Sequence, residues 1–192
     1  IRVWGFADAS ENGHKVSGEF MGMFAEARIE NGAWTLTFGA RLNACAEQGN
    51  SMRIYTDKTA FVFENVLVGD VFMVIGQSNV AYSMAAHRAA VPEAERGGVG
   101  YDVPSTPIRL HYNSLMQETG VTRGTEEVCA ELRNRETWKR ADAAAVQDFS
   151  ALGYLFAAEY ARATGVPVGV IEIDGNGQPI GAFLPNSVAE AT

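Results

Sequence analysis

Through the first third of the chain, apolar and polar residues alternate with a period of two: Lys15-Val16-Ser17-Gly18-Glu19-Phe20, Ala33-Trp34-Thr35-Leu36-Thr37-Phe38, Met52-Arg53-Ile54-Tyr55-Thr56 and Ala60-Phe61-Val62-Phe63. Alternation of this kind sends every second side chain to one face of an extended strand. Turn signals at Glu11-Asn12-Gly13, Glu30-Asn31-Gly32 and Gly49-Asn50-Ser51 separate the runs. The pattern predicts a small β-sandwich over residues 1–66, with no helix of useful length before Gly69.

After Gly69 the pattern switches to alternating strand and helix. Residues 70–75 read as a short apolar strand that breaks at Gly76, followed by a short helical stretch through Tyr82, Met84 and Ala85. Residues 91–107 form a Pro- and Gly-rich loop, Ile108-Arg109-Leu110-His111-Tyr112 a strand, and residues 113–140 a long polar excursion ending near Trp138. Between 146 and 163, Val146, Phe149, Leu152, Gly153, Phe156 and Tyr160 recur at three- and four-residue steps, which predicts a helix with those side chains on one face. Gly165 suits the left-handed position past its end, and Pro167 blocks continuation. Residues 168–173 then read as a buried strand parallel to the first, because a helical crossover separates the two. The chain is of the α/β class, with residues 67–192 as its second domain.

Charge narrows the choice of partner. Twenty-three Asp and Glu against fifteen Lys and Arg give a formal net charge of −8, and no basic patch offsets it, which argues against nucleic acid. The same field disfavours anionic sugars unless a local cation such as Arg88, Arg109 or Arg123 compensates. No apolar run approaches the roughly 20 residues of a membrane span. Cys45 and Cys129 lie far apart without metal-binding spacing; they read as buried free thiols, with a disulfide between the two halves as the alternative. No metal set or phosphate loop occurs, and no cofactor is implied.

The strongest chemical signal is Gly69-Asp70-Val71-Phe72-Met73-Val74-Ile75-Gly76-Gln77-Ser78-Asn79. A rigid strand end, a glycine for the sharp turn and backbone N–H groups beyond it are what a displayed nucleophile and an oxyanion need. Ser78 is the candidate nucleophile; as an alternative, it caps the following helix. Gln77 and Asn79 brace the turn or touch substrate, and neither is a base. His14, His87 and His111 read as a turn residue, an outer helix or loop residue and a strand residue. Gly175-Asn176-Gly177 has glycine spacing near that of a dinucleotide-binding turn, but Ile180 stands where the third small residue belongs.

The string GDVFMVIGQSN resembles the nucleophile block GDVWLCSGQSNM of the sialate O-acetylesterase family, carbohydrate esterases of the SGNH-hydrolase superfamily. Phe149-Ser150-Ala151-Leu152-Gly153-Tyr154-Leu155-Phe156 resembles the family's FSAVAYFF helix, and Gly165-Val166-Pro167-Val168-Gly169-Val170-Ile171 its GVPIGLI strand. Gly177-Gln178-Pro179-Ile180-Gly181-Ala182-Phe183 is similar to its GGTPIEAW turn, and Val3-Trp4-Gly5-Phe6-Ala7 to the VWGWA that opens the family's small β domain. Asn176 replaces the first glycine of that turn, Gly175 the preceding tryptophan, Gly181 and Phe183 the Glu and Trp after Pro-Ile, and Val80 the Met after GQSN.

The resemblance implies that residues 67–192 are the N-terminal part of a flavodoxin-like SGNH-hydrolase α/β/α domain. It implies that Ser78 is the nucleophile and contributes its own N–H to an oxyanion hole shared with the Gly177 N–H, with Gln77, Asn79 and Gln178 lining the substrate. The substrate class implied is an acetylated carbohydrate, sialic acid or another O-acetylated sugar, in an extracytoplasmic setting. The family's QGESN-like block and its DxxH block, which supplies the catalytic acid and histidine, do not occur before Thr192. With a start at Ile1, the chain is therefore expected to be an internal piece of a longer polypeptide whose C-terminal part supplies the base. Without a base, catalysis falls by about 10⁴- to 10⁶-fold, so these residues alone are expected to be nearly inactive. The competing expectation is a noncatalytic carbohydrate-binding or scaffold protein built on the same fold.

Overall fold

Alternation becomes strand pairing in a computed structural model that describes residues 1–39, 42–46, 50–92, 95–96, 104–113, 138–175 and 177–184. Gly49, Arg123, Cys129, Asn176 and most of the 91–107 and 113–140 stretches lie outside the described residues. The chain divides into two compact units, Ile1–Val68 and Gly69–Thr192, and its class is mixed α/β.

In the first unit, β1 (Arg2–Phe6) pairs antiparallel with β4 (Ala33–Thr37). A second, antiparallel sheet runs in the order β3 (Met23–Arg28), β2 (Lys15–Phe20), β5 (Met52–Tyr55), β6 (Ala60–Phe63). Two tight turns use left-handed backbone: Met21-Gly22 joins β2 to β3 and Asn31-Gly32 joins β3 to β4, with φ of 48°, 74°, 53° and 73°. Val16, Phe20, Ile29, Leu36, Phe38 and Ile54 form the core between the sheets. At Gly18 the layers meet so closely that a Cβ would lie 2.6 Å from Leu36 Cδ1. Strand β3 is an addition to the sequence reading: its inner positions are Ala25 and Ala27, too small to mark an apolar stripe.

The second unit is built on a four-stranded sheet, order β7 (Asp70–Gly76), β10 (Val168–Asp174), β8 (Ile108–Asn113), β9 (Lys139–Arg140). The first three strands are parallel and β9 is antiparallel. Helix α1 (Met84–Ala90) follows β7, and α2 (Ala143–Gln147) and α3 (Ala151–Thr164) precede β10.

The helix expected over 146–163 is thus two helices. Asp142 caps α2 by accepting the Ala144 and Ala145 N–H groups, and Ser150 caps a fresh start by accepting the Gly153 N–H. Its buried face also differs from the expected one. Ala151, Gly153, Tyr154, Ala157, Ala158 and Ala161 face the sheet, whereas Leu152 and Phe156 are exposed. Small residues let the helix approach β7 and β10 closely; a Cβ at Gly153 would lie 3.0 Å from Val74 Cγ1. Gly165, at φ 69°, ends the helix as expected, its N–H bonding Ala161 O.

Leu36 is fully buried where the two sheets of the first unit meet. Leu36→Ala is expected to lower stability by about 2–5 kcal/mol, read from the urea midpoint of the unit's unfolding.

Candidate active site

Strand β7 ends in a turn that its own glycine makes room for. A Cβ on Gly76 would lie 2.7 Å from Val80 Cγ2, so the glycine lets buried Val80 fold back beneath the chain. Gln77 O then accepts the N–H groups of Val80 and Ala81 at 2.8 and 3.0 Å, closing the turn. Gln77, Ser78 and Asn79 are all exposed on it. Ser78 does not cap the following helix: α1 starts at Met84, and Ser83 fills that role, accepting the Ala86 N–H at 3.2 Å.

The neighbouring strand delivers a second turn to the same edge. Asp174 at the end of β10 pairs in register with Gly76, and the Gly175 N–H donates to Gly76 O at 3.0 Å. The Gln178 N–H returns to Gly175 O at 3.1 Å, with Gly177 between them in left-handed backbone at φ 72°. Gly177 is exposed and Gln178 half-buried, and Pro179 leads into a 3-10 turn, Ile180–Phe183. The turns carrying Ser78 and Gly177 therefore leave adjacent parallel strands at their C-terminal ends, the edge at which open α/β sheets bind ligands.

The three histidines are dispersed. His14 lies in the first unit, 3.8 Å from Asp57. His87 is on α1, edge-on to Tyr82. His111 sits part-way along β8 and packs against Trp138, with rings 5.2 Å apart. Of the candidate cations, Arg88 is half-buried in the last turn of α1. Arg109 is on β8 directly opposite Arg140, and burial followed by that like charge lowers its pKa. Cys45 is a free thiol, half-buried rather than buried as expected, and accepts from Asn50 Nδ2 at 3.4 Å. Among the described residues no group of three or more His, Cys, Asp or Glu is placed to hold a metal, and no helix is long and apolar enough to cross a membrane.

Two buried acids behind the turns were missed by the sequence reading. Glu172 and Asp174, each 1% exposed, lie on the face of β10 that also buries Val168 and Val170. Glu172 Oε2 accepts the Ser150 N–H at 2.8 Å. Burial pushes its pKa up to about 7, the Ser150 bond partly offsets this, and Asp174 adds to it. Tyr112 on β8 is pushed up to about 12, first by burial and then by the Asp174 and Glu172 carboxylates, and it hydrogen-bonds Asp174. The signal was parity: both acids fall in step with the inner valines. A cavity of about 560 Å³ lies on the β8–β9 side, bordered by Leu110, Tyr112, Lys139, Arg140 and Phe149.

No family model and no curated protein matches the chain. Among solved structures, the chain shares its fold with XAC1771, a carbohydrate acetylesterase from Xanthomonas citri, at a TM-score of 0.71 and 22% identity. The match covers 97% of this chain and 39% of that one, so these residues span about two fifths of the length of the matched protein.

The raised Glu172 pKa has a signed consequence. Between its ordinary 4.5 and about 7 the folded chain holds a proton that the unfolded chain has released, so its stabilising contribution is complete at low pH and lost as pH rises through 7. Glu172→Gln is expected to match the wild type in urea unfolding near pH 4 and to exceed it by about 3 kcal/mol above pH 8. Parallel pH–stability curves for the two proteins are the contrary result.

Proposed function

We propose that the polypeptide carrying these residues is a carbohydrate O-acetylesterase of the sialate O-acetylesterase type. Ser78 Oγ attacks the acetyl carbonyl, and the developing oxyanion accepts the N–H groups of Ser78 and Gly177. The sugar hydroxyl departs with a proton, and water then releases acetate from the acyl-enzyme, regenerating Ser78 without a cofactor. Gln77, Asn79 and Gln178 border the substrate. The observation that carries this reading is the register pairing of Gly76 with Asp174, which sets the Ser78 and Gly177 turns side by side. The motif GDVFMVIGQSN and the fold shared with a carbohydrate acetylesterase support it.

None of the three histidines lies on either turn, so the reading includes a base and an acid supplied by polypeptide outside residues 1–192. The same dispersal favours the competing reading of a noncatalytic carbohydrate-binding protein.

The test is fluorophosphonate labelling of the longest expressible form, with the adduct located by mass spectrometry. Labelling is expected at Ser78 and is expected to vanish in Ser78→Ala. In Gly76→Ala, where the added methyl pushes Val80 and the turn outward, labelling is expected to slow by about 10²-fold. A folded sample that takes up no label overturns the esterase mechanism and puts the binding reading ahead.

A further inference from the structure

Glu172 is a carboxylate on a strand face that it shares with Val168, Val170 and Asp174. It sits in register with Val74 on one side and Tyr112 on the other, and its Oε2 accepts the Ser150 N–H at 2.8 Å. Ser150 is fully buried and caps α3 through its hydroxyl. It also forms an antiparallel bridge with Ser83, flanked by bonds from the Met84 N–H to Phe149 O at 2.9 Å and from the Ala151 N–H to Tyr82 O at 2.8 Å. Ser83 in turn caps α1. The segment bearing Ser78 is thus fixed by β7 at one end and by this junction at the other.

We propose that Glu172 is a positioning residue for Ser78: its carboxylate anchors the Ser150–Ser83 junction and so keeps the Ser78 turn beside Gly177. This rests on the esterase reading of Ser78. The groups facing Glu172 are Asp174 on its own strand, the Tyr112 hydroxyl on β8 and Ser150 at the start of α3; Val74 on β7 is apolar. The positive end of α3 favours a negative acceptor at this point, while burial and Asp174 oppose it. Acids buried at such a cost cluster at functional sites.

The experiment compares Glu172→Ala and Glu172→Gln with the wild type in the full polypeptide. Glutamine keeps an oxygen that can accept the Ser150 N–H, and alanine does not. With 4-nitrophenyl acetate, Glu172→Ala is expected to lower kcat about 30-fold with KM essentially unchanged, and Glu172→Gln to restore most of the rate. In Glu172→Ala, amides of residues 77–83 are expected to exchange hydrogen about tenfold faster, with those of residues 1–68 unaffected. Unchanged exchange at 77–83, or a loss confined to KM, overturns the proposal. Should the wild type neither hydrolyse the ester nor label at Ser78, the esterase reading falls, while exchange at 77–83 still decides whether Glu172 holds the turn.

Discussion

The parallel pairing of β7 with β10 sets the turns bearing Ser78 and Gly177 at one edge of the sheet. Both strands present apolar residues to α3, and because that helix is the crossover leading into β10, the two strands run in the same direction. Parallel strands end at a common edge, so the turns after Gly76 and Asp174 emerge as neighbours. The Gly175 N–H to Gly76 O bond extends the ladder one step beyond the strands and ties the two exits together. The start of α3 comes to the same level, as the Glu172 to Ser150 bond records. A serine on one turn and a left-handed glycine on the next thereby leave neighbouring strands at the same edge.

Small residues make that arrangement compact. Gly76 admits Val80 under the turn, Gly153 admits Val74 against α3, and Ala157, Ala158 and Ala161 let the helix lie close over the sheet. Tyr154 is the one large side chain on the helix's buried stripe and is fully enclosed. Bulk is displaced to the margin, where Phe72 packs edge-on against Phe156 and Tyr160, both at 5.0 Å. The first unit follows the same rule at Gly18, where its two sheets meet over Leu36 and Phe38.

These choices explain what could be read from the chain and what could not. Alternation located β2, β4 and β5 because their inner positions carry Val16, Leu36, Ile54 and similar bulk, and β6 through its Phe and Val residues although all four of its positions are exposed; it passed over β3, whose inner positions are alanines. The long helix was found, but its face was assigned by size. Ala151, Tyr154, Ala158 and Ala161 keep the same three- and four-residue steps as the larger side chains, and close packing selected them. The break before Ala151 was written in the capping residues Asp142 and Ser150, which periodicity does not register. At the candidate site, the Gly76–Ser78 turn was legible because strand, glycine and serine are local. The Glu172 link is not local: its partner Ser150 lies on the preceding helix, and only the pairing of strand and helix reveals it.

Charge bears on which ester such a site suits. The described exposed residues of the two turns, Gln77, Ser78, Asn79 and Gly177, are uncharged, and the groups proposed to bind the oxyanion are backbone N–H donors. Behind them lie Glu172 and Asp174, and the chain as a whole carries −8. Arg109 and Arg140 stand together on β8 and β9, beyond β10 from the strand that delivers Ser78. A neutral acetyl ester meets no electrostatic opposition at such an edge, whereas a sugar carboxylate would need a cation that neither turn provides. For the esterase proposed above, these two uncharged turns would suit an uncharged acetylated sugar, and the net charge of −8 would drive the anionic product, acetate, outward.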